Sequence, residues 1–318
     1  MILDTLQLLL IAGVIIVLFM AFVAPLESLR WWAGWSDAAV EEVTRTLTHA
    51  DGRPAGEQRA AYYLVWLSGI GSVPGRTQDP FEVRFLEELR QRIPLSFIVD
   101  DAFAYSVREN PLAGRHLVDW VWRSARSRQT AGASSGLLLG PVIQLRNLLQ
   151  VAVSADPRYG PIYNLGLAES IGRRLIAGGY LPGRPAPRLT LLGYSGGAQV
   201  AVGAATYLVQ WFGAPVDVIS IGGVIADEPG IQAVDHLYHL QGERDPMPRI
   251  GSLVFVGRWG VIRYSHWNRA VAAGKVRELS AGPVEHMAEQ GYFGSAHVER
   301  TAALVANLVA NGASDAYA

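Results

Sequence analysis

The residues best suited to chemistry lie in the segment Gly193-Tyr194-Ser195-Gly196-Gly197, which matches the pattern G-x-S-x-G. An apolar run typical of a β-strand precedes this segment, and a run rich in small residues, typical of a helix, follows it. In that context the serine occupies a sharp strand-to-helix turn at the carboxyl end of a sheet. Glycines suit such a turn because its backbone is strained and bulky neighbours would collide. Ser195 is therefore the predicted nucleophile of an acyl-transfer reaction.

A serine hydroxyl is a poor nucleophile near neutral pH, so Ser195 needs a histidine base and a carboxylate that orients the base. The segment 236–248 has the pattern of a strand and a turn glycine followed by Asp245. Asp245 is therefore the predicted acid. Two alternatives stay open, namely its neighbour Glu243 and Asp227, which follows the preceding strand.

The base is expected in the loop after the last strand, from which an imidazole can reach back to the serine. His286 follows such a strand and a glycine–proline turn, and it is the predicted base. His297 is the alternative, although it could instead lie in a first helical turn capped by Ser295. His266 is predicted to be a packed or surface histidine.

The oxyanion of an acyl-transfer reaction needs two backbone N–H donors. The first predicted donor is the amide of Gly196, which follows the nucleophile at the positive end of a helix dipole. The second is expected in the turn Ser68-Gly-Ile-Gly71, after an early apolar strand. Within that turn the predicted donor is the Ile70 N–H, because the flanking glycines allow close approach of the backbone.

Short apolar runs alternate with helical patterns, which predicts an α/β fold with a mostly parallel sheet flanked by helices. The predicted strands are Tyr62–Leu67, Leu95–Val99, Leu189–Gly193, Val216–Ile221, His236–Leu240 and Lys275–Leu279. The predicted helices are Asp37–His49, Pro80–Arg92, Gly196–Phe212 and Ala296–Val309, with a loop over Asp51–Gln58. A mostly helical insertion at about 102–181 is expected to cover the site. Since no linker divides residues 58–318, one domain is preferred, and the predicted domain covers residues 36–318.

The N-terminal segment has the composition of a membrane anchor. Thr5–Leu26 contains 22 uncharged residues, of which 14 are Leu, Ile, Val or Phe. As a helix rising about 1.5 Å per residue, it is long enough for a hydrocarbon layer of about 30 Å. Trp31, Trp32 and Trp35 follow, where indole rings favour the membrane–water boundary. A cleaved signal peptide fits less well because positive charge is missing before the apolar run. Residues 1–35 are therefore predicted to be a single-pass anchor of undecided orientation.

Composition excludes several classes of function. The 27 basic and 28 acidic residues give a formal charge of −1, which offers no broad basic surface for nucleic acid. Without cysteine there are no disulfides, thiolate metal sites or cysteine nucleophile. No nucleotide cofactor is expected, because Gly69-Ile-Gly71 lacks an immediate helix and a G-K-[ST] sequence. No metal is expected either, because His236 and His239 are three residues apart on a strand and face opposite sides.

The chain order Ser195, Asp245, His286, taken with the serine turn and the glycine loop, resembles the α/β-hydrolase superfamily over about residues 60–311. The oxyanion loop of that superfamily usually starts with His-Gly, whereas this chain has Ser68-Gly69. The resemblance implies an α/β-hydrolase fold and a catalytic triad formed by the three residues.

The sequence is also similar to a group of bacterial membrane-anchored α/β hydrolases. Two motifs carry this similarity: Trp-Trp-Ala-Gly-Trp after the anchor (Trp31–Trp35) and Tyr-Gly-Pro-Ile-Tyr-Asn before the serine turn (Tyr159–Asn164). The similarity implies no established substrate.

Together these features predict a membrane-anchored serine hydrolase that cleaves a carboxylic ester or thioester through an acyl-enzyme. Its expected partners are a small-molecule or lipid-like ester and the bilayer around the N-terminal helix, and its oligomeric state stays open. Because a fold does not prove chemistry, the alternative is a catalytically silent hydrolase-like module that binds a lipid or protein partner at the membrane.

Overall fold

The computed structural model describes residues 60–71, 79–102, 136–181 and 186–315, together with the isolated positions 7, 11, 13, 15 and 45. Within these residues no helix combines the length and the apolar character needed to cross a bilayer. Apart from the isolated positions, three predicted features lie outside the described residues: the anchor segment 1–35, the helix Asp37–His49 and the loop Asp51–Gln58.

A parallel sheet forms the centre of the described part of the chain. Its strands are β1 (Tyr62–Leu67), β2 (Ser96–Val99), β3 (Leu189–Tyr194), β4 (Val216–Ile221), β5 (His236–Gly242) and β6 (Val276–Gly282). They lie in the order β2-β1-β3-β4-β5-β6, and every neighbouring pair is parallel. The predicted α/β fold with a parallel sheet is therefore confirmed.

The central strands are apolar on both faces because helices cover both faces. In β1, Tyr63, Val65 and Leu67 belong to one hydrophobic cluster. Leu64 and Trp66 alternate with them and belong to a second cluster on the other side of the sheet. Continuous apolar runs of this kind are typical of parallel strands buried on both sides.

Helices form the two outer layers. They are α1 (Pro80–Arg92), α2 (Gly136–Ala155), α3 (Gly160–Ala177), α4 (Gly196–Phe212), α5 (Gly230–Ala233), α6 (Met247–Val254), α7 (His266–Ala272) and α8 (Val298–Asp315), with a 3₁₀ turn over Val256–Arg258. Side chains of α2, α3 and α4 join the first hydrophobic cluster, and side chains of α1 and α8 join the second. The domain is thus a helix–sheet–helix sandwich.

The predicted strands are all present, with small shifts at their ends. β2 begins at Ser96 rather than Leu95, because Leu95 has a φ of 64° and so lies outside the extended region. β6 begins at Val276 rather than Lys275, whose ammonium group instead binds two backbone carbonyls before β5. The described part of the insertion is helical, as predicted, and residues 103–135 lie outside the described residues.

One histidine is fully buried in the sheet. His239 on β5 has no solvent exposure, and its Nδ1 lies 2.9 Å from the Ser220 hydroxyl on β4. Burial, with a smaller contribution from the nearby Arg258 cation, lowers the pKa of His239 to about 3. The His239 imidazole is therefore neutral at physiological pH.

We expect His239 to make the fold sensitive to acid. The unfolded chain protonates this histidine near pH 6.5, whereas the folded protein does so only near pH 3. The free energy of unfolding should therefore fall as pH drops from about 6.5 towards 3, by up to about 1.4 kcal/mol per pH unit from this residue. Urea unfolding across that range should give a smaller slope for His239→Asn than for the wild type.

The matched control is His266→Asn, which replaces a partly exposed histidine on α7. This variant should keep the acid slope of the wild type. An unchanged slope in His239→Asn would mean that other groups account for the acid sensitivity.

Candidate active site

Ser195 lies between β3 and α4 in a backbone conformation that few residues adopt. Its φ is 53° and its ψ is −123°, outside the regions favoured by residues with a Cβ. Strain of this kind costs about 1–3 kcal/mol and is concentrated at functional sites. The strained strand-to-helix turn expected from the motif is therefore present, with the serine at its apex.

Packing explains the two outer glycines of the motif. A Cβ at Gly193 would lie 2.5 Å from the Cα of Ala198 in the first turn of α4. A Cβ at Gly197 would lie 2.2 Å from the carbonyl oxygen of Leu67 at the end of β1. Both distances are far shorter than van der Waals contact, so only glycine lets α4 begin this close to the two strands.

Ser195, His286 and Asp245 form a continuous hydrogen-bonded series. The Nε2 atom of His286 lies 2.9 Å from the Ser195 Oγ, and its Nδ1 atom lies 2.9 Å from the Asp245 Oδ2. These distances fit a neutral imidazole that donates from Nδ1 to the carboxylate and receives the serine proton at Nε2. The residues predicted as nucleophile, base and acid are thus brought within hydrogen-bonding distance at the carboxyl edge of the sheet.

The Asp245 side chain is fully buried, yet both of its oxygens have donors. Oδ1 accepts a hydrogen bond of 2.8 Å from the backbone N–H of Met247, and Oδ2 accepts one of 2.7 Å from the Tyr292 hydroxyl as well as the bond from His286. A buried carboxylate is costly unless it is hydrogen-bonded in this way. The three donors therefore hold the carboxylate in the orientation that the imidazole requires.

Tyr292, which the sequence analysis did not single out, connects Asp245 to the sheet. Its hydroxyl donates to Asp245 and accepts a hydrogen bond of 2.7 Å from the backbone N–H of Gly242, the last residue of β5. Burial, followed by the negative charge of Asp245, raises the pKa of Tyr292 well above its usual value. The hydroxyl therefore keeps its proton and remains a donor.

We expect Tyr292→Phe to lower the free energy of unfolding by about 1–3 kcal/mol, because it leaves the buried Gly242 N–H without an acceptor. Urea unfolding of the variant and the wild type measures this loss. Tyr62→Phe is the matched control, since the partly exposed Tyr62 hydroxyl has no hydrogen-bond partner within the described ranges. Equal stability losses in the two variants would contradict the assigned role of Tyr292.

A second tyrosine, also missed in the sequence, supports His286. The Tyr194 ring stacks on the His286 imidazole, with centroids 5.3 Å apart and ring planes 22° apart. The Tyr194 hydroxyl donates a 2.5 Å hydrogen bond to the backbone carbonyl of His286. Burial, with smaller effects from nearby carboxylates, raises the pKa of Tyr194 well above its usual value. The last residue of β3 thus holds both the ring and the backbone of the histidine.

The predicted oxyanion turn, Ser68–Gly71, packs against Ser195. A Cβ at Gly69 would lie 3.3 Å from the Cβ of Ser195. The Asn147 side chain on α2 donates a 2.7 Å hydrogen bond to the carbonyl oxygen of Ile70 and so fixes the turn to α2. The two predicted N–H donors therefore both belong to backbone that adjoins the serine, one in this turn and one directly after the serine.

A buried carboxyl group lies behind the oxyanion turn. Glu82 on α1 is 7% exposed and accepts hydrogen bonds from the Ser68 hydroxyl at 2.6 Å and from the Trp66 indole N–H at 3.1 Å. Burial raises the pKa of Glu82, although both hydrogen bonds act in the opposite direction. Ser68, the residue that differs from the His-Gly pattern, therefore ties the start of the turn to α1.

The two alternative acids, Asp227 and Glu243, have hydrogen-bond partners other than His286. The Asp227 carboxylate accepts a 2.8 Å hydrogen bond from the backbone N–H of Trp267 and so stabilises the start of α7. Glu243 is exposed and accepts a 3.2 Å hydrogen bond from the Ser280 hydroxyl. Of the three candidate carboxylates, Asp245 is the one bonded to His286.

The alternative histidines are also separate from the serine. The backbone N–H of His297 donates to the Gly294 carbonyl at 2.9 Å just before α8, and its side chain has no hydrogen bond to any described residue. The Nδ1 atom of His266 lies 3.2 Å from the guanidinium of Arg269 on the same helix. Geometry therefore favours His286 over both as the base.

The sequence contains only a weak signal for the supporting residues. Tyr194 stands inside the G-x-S-x-G motif, at a position that the motif leaves unspecified. Tyr292 and Glu82 follow no spacing rule, and their contacts arise only from packing. Within the described ranges no group of three or more His, Asp or Glu side chains could hold a metal ion.

Comparison with known proteins gives no match, either to a protein-family model or to a curated protein.

Proposed function

We propose that this protein is a serine hydrolase that cleaves a carboxylic ester or thioester through a covalent acyl-enzyme. The observation that carries the proposal is the hydrogen-bonded series from the Ser195 Oγ through His286 to the buried Asp245. A buried carboxylate that orients a histidine against a strained serine is the arrangement that activates a hydroxyl for attack on a carbonyl carbon.

In the first half of the proposed reaction, the Ser195 Oγ attacks the acyl carbon while the Nε2 of His286 takes the hydroxyl proton. The resulting oxyanion accepts hydrogen bonds from the N–H groups of Gly196 and Ile70, which are already ordered before the reaction. The Gly196 amide lies at the N-terminus of α4, where the helix dipole adds positive potential. His286 then protonates the departing alkoxide or thiolate, and the acyl group stays on the serine oxygen.

In the second half, a water molecule attacks the acyl carbon as His286 removes one of its protons. Collapse of the second tetrahedral intermediate returns the proton to the Ser195 Oγ and releases the carboxylic acid. Throughout both halves, Asp245 stabilises the imidazolium and keeps the Nδ1 proton directed at its own Oδ2.

Two further parts of the proposal concern family and location. Membership of the α/β-hydrolase superfamily is supported by the parallel sheet, the strained serine turn after β3 and the chain order serine, acid, histidine. Attachment to a membrane through Thr5–Leu26 is supported by the length and apolar composition of that segment.

A fluorophosphonate probe tests the proposed activity on the full chain. The activated serine should form a covalent phosphonate ester, and mass spectrometry of the digested protein should place the adduct on the peptide that contains Ser195. Ser195→Ala should remain unlabelled. A folded wild-type protein that resists the probe would reject the hydrolase and favour the silent lipid- or protein-binding module.

The substrate class is tested with a series of chromogenic esters and thioesters of increasing acyl length. A defined optimum in kcat/KM along the series would identify the acyl group that the site accepts.

A further inference from the structure

The segment between Asp245 and β6 has an unusual charge pattern. From Pro246 to Arg277 there are 32 residues without Asp or Glu, and six of them are Arg or Lys. The chain as a whole carries a formal charge of −1, so this segment is a local concentration of positive charge.

The same segment also exposes apolar side chains. Of the fifteen large hydrophobic side chains that are exposed among the described residues, eight lie between positions 250 and 264. They are Ile250, Leu253, Val254, Val256, Trp259, Val261, Ile262 and Tyr264. Leu253 is 71% exposed, Val261 79% and Tyr264 91%. Apolar surface concentrated in this way on a soluble domain usually marks a binding surface.

Hydrogen bonds hold the backbone of this segment in place. The Asn268 amide donates to the backbone carbonyls of Gly257, Trp259 and Ile262 at 3.3, 2.8 and 2.9 Å. The Trp259 indole N–H donates to the carbonyl of Leu253 at 3.3 Å, which ties the loop to the end of α6. Residues 249–264 therefore form one ordered segment, and its exposed surface is here called the basic apolar face.

The arginines of this segment divide into two groups. Arg258 is buried, with its guanidinium 3.7 Å from the Trp267 ring centroid and hydrogen-bonded to the carbonyl of Ile225, so it anchors the face to the domain. Arg249 and Arg263 are exposed, and no carboxylate of the described part of the chain forms an ion pair with either. These two cations are available to an external anion.

This combination of groups fits an anionic bilayer better than the other partners. Aliphatic side chains gain free energy among lipid tails, Trp and Tyr favour the interface, and arginines bind headgroup phosphates. A nucleic acid would leave Leu253, Val254 and Val261 without apolar partners. The face also adjoins the candidate site, because α6 begins two residues after Asp245 and the Met247 N–H binds that carboxylate.

We propose that the basic apolar face is a second membrane-contacting surface, distinct from the N-terminal segment, that docks on an anionic bilayer. Leu253, Val254 and Val261 enter the lipid, while Arg249 and Arg263 bind headgroup phosphates. Docking holds the carboxyl edge of the sheet, and with it Ser195, close to the lipid surface. The proposal concerns contact with lipid and does not depend on the reaction that the site performs.

The absence of cysteine makes a direct test possible, since one introduced thiol is then the only labelling site. Full-length Leu253→Cys and Val261→Cys carry a nitroxide and are reconstituted in vesicles of phosphatidylcholine with or without phosphatidylglycerol. With the anionic lipid, both labels should become accessible to oxygen and protected from a water-soluble nickel chelate. Gln91→Cys, exposed at the far end of α1, is the control and should stay accessible to the chelate.

A separate experiment tests whether docking requires the charges of Arg249 and Arg263. In Val261→Cys, the double change Arg249→Gln and Arg263→Gln should reduce the ratio of docked to undocked label roughly fivefold for each arginine, as expected for about 1 kcal/mol per cation near an anionic surface. The double change Arg90→Gln and Arg92→Gln removes the same net charge from the end of α1 and should leave the ratio unchanged.

Three results would overturn the proposal. The first is labels at both positions that remain open to the chelate in anionic vesicles. The second is protection in detergent without lipid that grows with protein concentration, which would identify the face as a contact between copies of the chain. The third is protection in detergent at every concentration, which would mean that another segment of the same chain covers the face. Because the readout is label accessibility, failure of the proposed hydrolysis would leave all three results interpretable.

Discussion

Replacing Ser195 by alanine should reduce turnover of an ester substrate by on the order of 10⁶. In the proposed reaction the variant loses the oxygen that would form the acyl-enzyme, whereas the two proposed oxyanion donors, the N–H groups of Gly196 and Ile70, are kept. Some acceleration over the reaction in water should therefore persist. The measurement is kcat for a chromogenic ester, with wild type and variant at equal concentration of folded protein.

The matched control is Ser280→Ala, which removes an exposed hydroxyl from β6 and should leave turnover essentially unchanged. Circular dichroism and urea unfolding are the measurements that check whether Ser195→Ala is folded. Near-normal hydrolysis by Ser195→Ala would reject this serine as the nucleophile and with it the proposed mechanism.

The second large effect is expected at the base. His286→Ala should lower turnover by a similar factor, because the serine and histidine of a triad act as a unit and loss of either removes most of their joint contribution. The variant lacks the Nε2 atom that lies 2.9 Å from the Ser195 Oγ, which in the proposed mechanism accepts the serine proton and returns it to the leaving group. Rates of ester hydrolysis and of fluorophosphonate labelling should both fall.

His297→Ala provides the comparison, since the same substitution removes an imidazole that makes no hydrogen bond to any described residue. Its turnover should remain close to that of the wild type. His286→Ala also loses the ring that stacks on Tyr194, so its free energy of unfolding must be measured alongside. A severe loss confined to His297→Ala would transfer the role of base to that residue.

Much of the fold was predictable because burial leaves a local pattern in the sequence. A parallel strand covered by helices on both faces must be apolar along its length, and β1, β3 and β4 are recognisable as such runs. The serine turn was predictable for a related reason, since close packing of α4 against β1 and β3 excludes side chains at Gly193 and Gly197. Exact strand ends were less predictable, as at Leu95, where a single positive φ delays β2.

The local sequence pattern could not decide which of the three candidate carboxylates bonds to His286. Asp227, Glu243 and Asp245 all follow strands, and in the sequence they differ little. In the folded protein Asp227 binds the start of α7, Glu243 faces solvent beside Ser280, and Asp245 is buried against His286. The donors that surround a carboxylate determine its role, and those donors come from other parts of the chain.

Sequence alone therefore determined the helix–sheet alternation, the strained serine turn, and the short set of carboxylates and histidines that could bond to the serine or to one another. Tertiary structure decided which of them meet, and it added Tyr194, Tyr292, Asn147 and Glu82 as supports. The reason is physical: the hydrogen bond between Ser195 and His286 joins residues 91 positions apart. Such a contact depends on the order of the strands in the sheet and on the packing of side chains from different elements. Neither of these produces a periodic pattern in the sequence.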